Sequence, residues 1–235
     1  MPHFYVAGSV KHMAKYDFGC GEVQNMTIMT KSGMIISKMS GKMYGFYSIN
    51  TNPLDNPFCN KSSNIPNSVC SKCYSRRMLM TMRKSCNPSW SKNGRILSRE
   101  ILPNSHIPDL SGLTCNGAFR FSSHGEIMNG IHLTNLLNIA ARNPDVTFGL
   151  WTKRIGMICD YLDDIPPNVI LVASTTLIDM IDPVLPAHFD KVFNVYTKPF
   201  AERHGIDINC TGKCADCMLC YDRHNGVTHI NELVK

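Results

Sequence analysis

No run of 18 apolar residues occurs in this chain of 235, so no membrane-spanning helix is expected. The opening Met1-Pro-His-Phe-Tyr-Val has neither the basic start nor the long apolar stretch of a secretory signal, which speaks against export. Charge is sparse: 18% of residues are charged against 43% hydrophobic, the balance of an ordinary soluble protein. The net charge of +6 permits an anionic partner, nucleic acid or a phosphorylated cofactor, but a solvated surface explains it more simply. An even cysteine count is also missing. Eleven cysteines, two groups of them at metal-ligand spacing, point to a reducing cytoplasm rather than to a secreted disulphide scaffold. The length suits one α/β domain or two small ones.

The most decided chemistry lies near the C-terminus, in Cys210-Thr-Gly-Lys-Cys214-Ala-Asp-Cys217-Met-Leu-Cys220-Tyr221. Bare thiolates this close repel one another and oxidise easily. Disulphides between neighbouring Cys-x2-Cys pairs would close strained small loops. A structural zinc site usually takes two such pairs from separate turns. An iron–sulphur cube is larger, and ferredoxins meet it with thiols every third residue. An iron–sulphur cluster is therefore the first expectation for Cys210, Cys214, Cys217 and Cys220, with zinc or inert cysteines as alternatives.

A second group, Cys59 and Cys70-Ser-Lys-Cys73-Tyr74, lies between a strand at Gly45 to Asn50 and a helix over Ser75 to Lys84. Loops of that kind line the ligand-binding edge of parallel sheets. A pair of core cysteines is the plainer reading. Cys20, between two glycines, reads either as a ligand or as a small buried hydrophobe. Arg76, Arg77, Arg83, Lys84, Arg95 and Arg99 form a basic run, which suits either a nucleic-acid backbone or the wet side of a helix.

Before these groups, residues 1 to 45 read as a β-rich N-terminal segment. It includes a hairpin whose strands, Asn25 to Thr30 and Met34 to Met39, flank the turn at Lys31-Ser-Gly. Pro53 and Pro57 mark a polar loop, and Pro88, Gly94, Pro103 and Pro108 cut residues 87 to 115 into short pieces. From residue 117 strands and helices alternate. Strands are expected at Ala118 to Ser122, Val146 to Thr152, Asn168 to Thr175 and Lys191 to Thr197; helices at Ile127 to Arg142 and Ile155 to Leu162. The apolar run from Val169 suits a sheet covered on both faces. The expected fold is α/β, a partial (βα) barrel with parallel strands in residues 46–235, carrying the cysteine quartet on a C-terminal loop. The quartet follows the last strand, which would put it at the same edge as Cys59, Cys70 and Cys73.

Each strand ends in polar residues: Ser122, Ser123, His124, Gly125 and Glu126; Thr152, Lys153 and Arg154; Ser174, Thr175 and Thr176; Thr197 and Lys198. Apolar strands whose tips carry polar groups describe a binding edge. Any one Ser or Thr there also serves as a cap or turn residue. Gly125 would let backbone approach a ligand, Glu126 would pair with an ammonium, and His124 reads as ligand, proton donor or ordinary turn residue.

Taken together, Cys59…Cys70-Ser-Lys-Cys73-Tyr74-Ser75, Phe119-Arg-Phe-Ser-Ser-His-Gly125-Glu126, Thr147-Phe-Gly-Leu-Trp-Thr-Lys-Arg154 and the quartet resemble the phage-encoded family labelled gene product 88. They also resemble the phage branch of radical S-adenosylmethionine (SAM) proteins. The likeness runs from about residue 45 to 221 and implies a partial (βα) barrel with a cluster at its mouth, in the cytoplasm of an infected host. It implies that Cys59, Cys70 and Cys73 hold three irons of a 4Fe-4S cluster whose fourth iron binds SAM. Gly125 and Glu126 would match the family's Gly-Gly-Glu segment at the SAM amino group, and Ser174 and Thr175 would lie near the ribose. Ten residues separate Cys59 from Cys70 where the family has three, and His124 stands where its first glycine would be. Cys210, Cys214 and Cys217 have the family spacing at the other end of the chain.

Three functions follow as expectations. The first is an enzyme that cleaves SAM to begin radical chemistry on an unknown substrate, its electron drawn from a host donor. The second is a non-enzymatic iron–sulphur protein with one or two clusters, and the third a zinc-stapled nucleic-acid-binding module.

Overall fold

The structure, a computed structural model, describes residues 27–234. Cys20 and most of the expected N-terminal β-rich segment lie outside the described residues. The part within them forms the expected hairpin. Thr27–Met29 (β1) pairs antiparallel with Ile35–Lys38 (β2), Thr27 opposite Ser37, around a turn closed by the Gly33 N–H on the Thr30 carbonyl at 2.9 Å. Tyr47–Ile49 (β3) then pairs antiparallel with β2.

Between β3 and the next strand come three helices, Pro57–Ser63 (α1), Tyr74–Met80 (α2) and Asn87–Arg99 (α3). Two of them correct the sequence reading. Pro57 and Pro88 do not mark loops; each occupies the first turn of a helix, where its missing N–H has no intrahelical partner to lose. Asn56 caps α1, its side chain accepting from the Phe58 and Cys59 N–H groups. The 13-residue α3 replaces the expected short pieces.

The alternating part follows the expected order. Ala118–Phe121 (β4), Gly130–Arg142 (α4), Thr147–Thr152 (β5), Ile155–Cys159 (α5), Val169–Ser174 (β6) and Lys191–Tyr196 (β7) succeed one another. Two helices and a strand absent from the sequence reading follow: Lys198–His204 (α6), Cys214–Cys217 (α7) and His229–Leu233 (β8). All eight strands join one sheet in sequence order, parallel from β3 onward, with β1 and β8 at its ends. The architecture is thus mixed α/β with a mostly parallel sheet.

Alternate residues of the strands separate two cores, as the two-residue period requires. On one face Phe119, Phe121, Phe148, Leu150 and Leu171 pack with Leu97 of α3 and Leu133, Leu136 and Leu137 of α4. Phe121 and Phe148 stack at 4.6 Å. Each such side chain contributes about 1.5–3 kcal/mol by leaving water. On the other face Ala118, Trp151, Ile170 and Val172 meet Phe46 and Tyr221, with Cys214, Met218 and Cys220 at the margin. Every residue of β6 is buried because the cysteine-rich segment, rather than more helices, covers this second face. Buried asparagines fasten the loops: Asn93 joins α3 to Ile35 and Asn50, and Asn135 and Asn143 hold residues 97 to 110 against α4. Among the described residues no helix is long and apolar enough to cross a membrane.

Candidate functional site

Cys59, Cys70 and Cys73 lie on segments near the C-terminal tips of the parallel strands. Cys59 is buried on α1, Cys70 sits in the short 3-10 turn Val69–Lys72, and Cys73 precedes α2. The carriers are tied to two tips, α1 and α2 to that of β4 and the Cys70 turn to that of β6. The Asn56 side chain that caps α1 also donates to the Glu126 carbonyl at 2.9 Å, beyond β4. The Val69 N–H donates to the Thr176 carbonyl at 2.9 Å, and Ile178 N–H to Asn67 at 3.0 Å, beyond β6. The Ser75 hydroxyl shares a 2.7 Å hydrogen bond with His124 Nδ1, whose ring stacks on Trp90 at 4.5 Å.

Electrostatics place the thiols in one neighbourhood. Burial first, then the Glu126 carboxylate and the Cys70 and Cys73 thiols, push Cys59 up to about 12, with Lys153 opposing. Burial also raises Cys70, against Lys153 and with Cys73 and Glu126. Neutral thiols are thus the preferred form until a cation compensates them. His124 is held neutral, lowered to about 3 by burial and then by Arg83, Arg120 and Lys42.

Glu126 is buried and already engaged by its own chain. Its Oε1 accepts from the Thr152 hydroxyl at 2.7 Å and the Ile127 N–H at 2.9 Å, its Oε2 from the Lys153 N–H at 2.9 Å. It latches β4 to β5, with one lone-pair direction left over. The close approach at Gly125 (φ +93°) is to Thr51, since a Cβ there would collide with the Thr51 hydroxyl and carbonyl oxygens. Ser174 is buried at the β6 tip, and Thr175 donates backbone N–H to Phe193 at 2.9 Å. Three buried hydroxyls at the tips, on Thr51, Ser122 and Ser123, have no internal partner.

Cys210, Cys214, Cys217 and Cys220 line a separate pocket together with Lys213, Met218, Tyr221 and Ile230. α7 carries Cys214 and Cys217, and Met218 in a left-handed conformation (φ +50°) turns the chain so that Cys220 comes back to the same pocket. Burial pushes Cys220 up to about 12, opposed by Arg120 and reinforced by the other three thiols; Cys214 is raised too, with Lys42 and Arg120 opposing. The quartet does not share the rim of the first group. It packs on the sheet face toward the N-terminal strand ends, where Asn116 Nδ2 donates to the Ala215 carbonyl at 2.7 Å and Arg223 holds the Pro167 and Val169 carbonyls. The return of the chain into β8, unread in the sequence, draws it there: Cys210 N–H donates to Asn231 at 3.1 Å. Among the described residues no three Cys, His, Asp or Glu side chains stand close enough to grip one metal ion.

The chemistry-bearing stretches from β1 through the quartet fall within one family match: the model described as gene product 88 covers residues 27–223. The chain belongs to the gene product 88 family. No curated protein and no solved structure matches it.

Sequence reasoning missed several residues of this gene product 88 chain. Asn56 had a readable signal, an Asn-Pro pair ahead of a helix. Trp90, Arg120 and Tyr221 had none, because long-range packing brings them in. Arg120 lies with its guanidinium carbon 3.2 Å from the centroid of Trp151. Tyr221 packs on Phe46 at 4.7 Å and Trp151 at 5.4 Å, and Gly149 leaves the room for it, since a Cβ there would strike both rings. The basic run is partly occupied internally: Arg76 donates to Pro53 and Asn60, and Arg83 to Ser40.

Proposed function

We propose that this protein is an iron–sulphur protein with a radical SAM-like partial barrel, its first cluster held by Cys59, Cys70 and Cys73. The observation that carries the reading is the gathering of these three thiols, from three separate carriers, beside Glu126 at the tips of sequentially ordered parallel strands. A sheet in which strand order never reverses is the pattern of barrels rather than of doubly wound folds. A cube keeps its thiolates farther apart than a single tetrahedral ion does, which suits carriers on three different elements.

The donor set fits such a group. Of these soft ligands, Cys59 and Cys70 have raised thiol pKa values and need a strong cationic partner, and Lys153 supplies positive charge beside them. When bound, a 4Fe-4S cluster with an open iron supplies one-electron reduction of SAM. The chain's own groups then have distinct tasks. Glu126, with one lone pair spare, accepts from an ammonium while latching β4 to β5. Thr51, Ser122 and Ser123 offer hydroxyls without internal partners, and Ser174 and Thr175 stand at the β6 tip that the Cys70 loop grips. A host electron donor and a substrate of unknown identity complete this reading. The quartet is a second thiolate centre, iron–sulphur or zinc.

A second reading, an iron–sulphur protein without enzymatic activity, is favoured by one observation: the Glu126 carboxylate already accepts three hydrogen bonds from its own chain. Anaerobically purified protein treated with dithionite and SAM separates the two. Release of 5′-deoxyadenosine supports the enzyme; an intact cluster that releases none supports the second reading. Colourless protein with stoichiometric zinc would instead favour a zinc-stapled module.

A further inference from the structure

Half-buried arginines in this protein find acceptors on their own chain, with one exception. Arg76 donates to the Pro53 carbonyl at 3.0 Å and to Asn60 Oδ1 at 2.6 Å, and Arg83 to the Ser40 hydroxyl at 2.7 Å. Arg154 donates to the Ile127 and Met128 carbonyls at 2.9 and 2.6 Å. Arg120 has no hydrogen bond of good geometry and no carboxylate partner among the described residues. Its Nε is buried without an acceptor, while solvent reaches another part of the residue.

Strand register explains why nothing internal answers it. Arg120 lies across from Ser48 on β3 and Gly149 on β5, and Gly149 lies across from Ile170 on β6. Ser48 is already engaged, its hydroxyl donating to Asn50 Oδ1 at 2.9 Å and accepting from the Ser123 N–H at 3.3 Å. Gly149 and Ile170 have no polar side chain to offer. Phe119 and Phe121, on either side of Arg120, fill the helix-covered core, so Arg120 takes the other face. There its guanidinium carbon sits 3.2 Å from the centroid of the Trp151 ring. Glycine at 149 makes room for that ring, since a Cβ would come within 2.5 Å of it. Tyr221 lies beside the same indole, ring centroids 5.4 Å apart, and its hydroxyl is also buried without a partner of good geometry.

An aromatic face offsets only part of the cost of withdrawing a guanidinium from water. Stacked in this way, the group presents its N–H donors edge-on, as a planar fork that matches two oxygens of a carboxylate or a phosphate. A second buried donor without a partner at the same place is what a polar guest would satisfy.

We propose that Arg120, laid on Trp151, is the receptor for an oxyanion, the carboxylate or phosphate of a small-molecule ligand, on the sheet face away from α3 and α4. The site calls for no metal, and it stands whether or not Cys59, Cys70 and Cys73 hold a cluster.

Full-length protein carrying Trp90→Phe keeps Trp151 as its one tryptophan and so reports on the site directly. Its emission is followed while sodium acetate or inorganic phosphate replaces chloride at constant ionic strength and pH. A saturable shift is expected with at least one of the two, and the tighter binder tells a carboxylate ligand from a phosphorylated one. Arg120→Gln in the same background should weaken that binding about 10–100-fold. Arg120→Lys should weaken it less, because the ammonium keeps the charge but not the fork. A second measurement needs no variant to fold. The arginine reagent phenylglyoxal should modify Arg120 of the wild-type protein more slowly when the anion is bound, with the exposed Arg95 and Arg99 labelled at unchanged rates. Emission and Arg120 labelling that respond to neither anion overturn the proposal, and so does binding that Arg120→Gln leaves undiminished.

Discussion

Glu126 shows how one side chain serves both architecture and chemistry. Removing its charge while keeping its shape leaves donors from Thr152, Ile127 and Lys153 facing an amide that satisfies them incompletely. We expect Glu126→Gln to lose about 1–3 kcal/mol of stability, read from urea unfolding of the metal-free protein. An unchanged midpoint would show that the latch carries no weight. The buried histidines make a second expectation at this scale. His124 and His132 are both lowered to about 3, chiefly by burial, from an unfolded value of 6.5. Their folded pKa values lie below the unfolded one, so the stabilisation is complete above 6.5 and is lost as pH falls from there toward 3. Urea midpoints measured from about pH 7 down to pH 4 should therefore decline, and the decline should be shallower in a His132→Gln variant. A flat wild-type profile contradicts this account.

At the scale of elements, the alternating half of the chain was legible because β4 to β7 and α4 follow simple periods. Thr147–Thr152 and Val169–Ser174 lie within the expected spans, and the hairpin of β1 and β2 forms around its turn residues. The prolines misled. Pro57 and Pro88 break backbone hydrogen bonding in a strand or mid-helix but not at a helix start, and an asparagine precedes both, although only Asn56 caps its helix. Asn56→Ala should cost about 1 kcal/mol for the lost cap and should also lower iron content by loosening α1 from Glu126. Iron retained in full with lowered stability would limit Asn56 to capping. Cys59, Cys70 and Cys73 form one group on a strand-to-helix loop by sequence alone, and only their assignment as three ligands of one cluster comes through resemblance, since ten residues separate the first two. The quartet's spacing was plain, but its place was not: β8, too polar to announce itself, carries the chain back along β7 and so moves the quartet from the rim to the sheet face.

Across the whole molecule, the two thiol groups occupy different parts of one mostly parallel sheet, the first beyond its C-terminal tips and the quartet on one face. Cys86 packs with Trp90, Met78 and Leu79, Cys159 is exposed, and Cys115 lies at the edge of the quartet's core. Replacing any of these three should leave metal content unchanged, and a fall for Cys115 would extend the quartet's ligand set. The most direct measurement is iron and acid-labile sulphide in protein purified without oxygen, for wild type, Cys59→Ala, Cys70→Ala, Cys73→Ala and the quartet variants. The account predicts brown wild-type protein with about four irons per cluster and matching sulphide, and loss of one cluster's worth of both in each of the three rim variants. Wild-type protein without sulphide, or rim variants with undiminished iron, would contradict it.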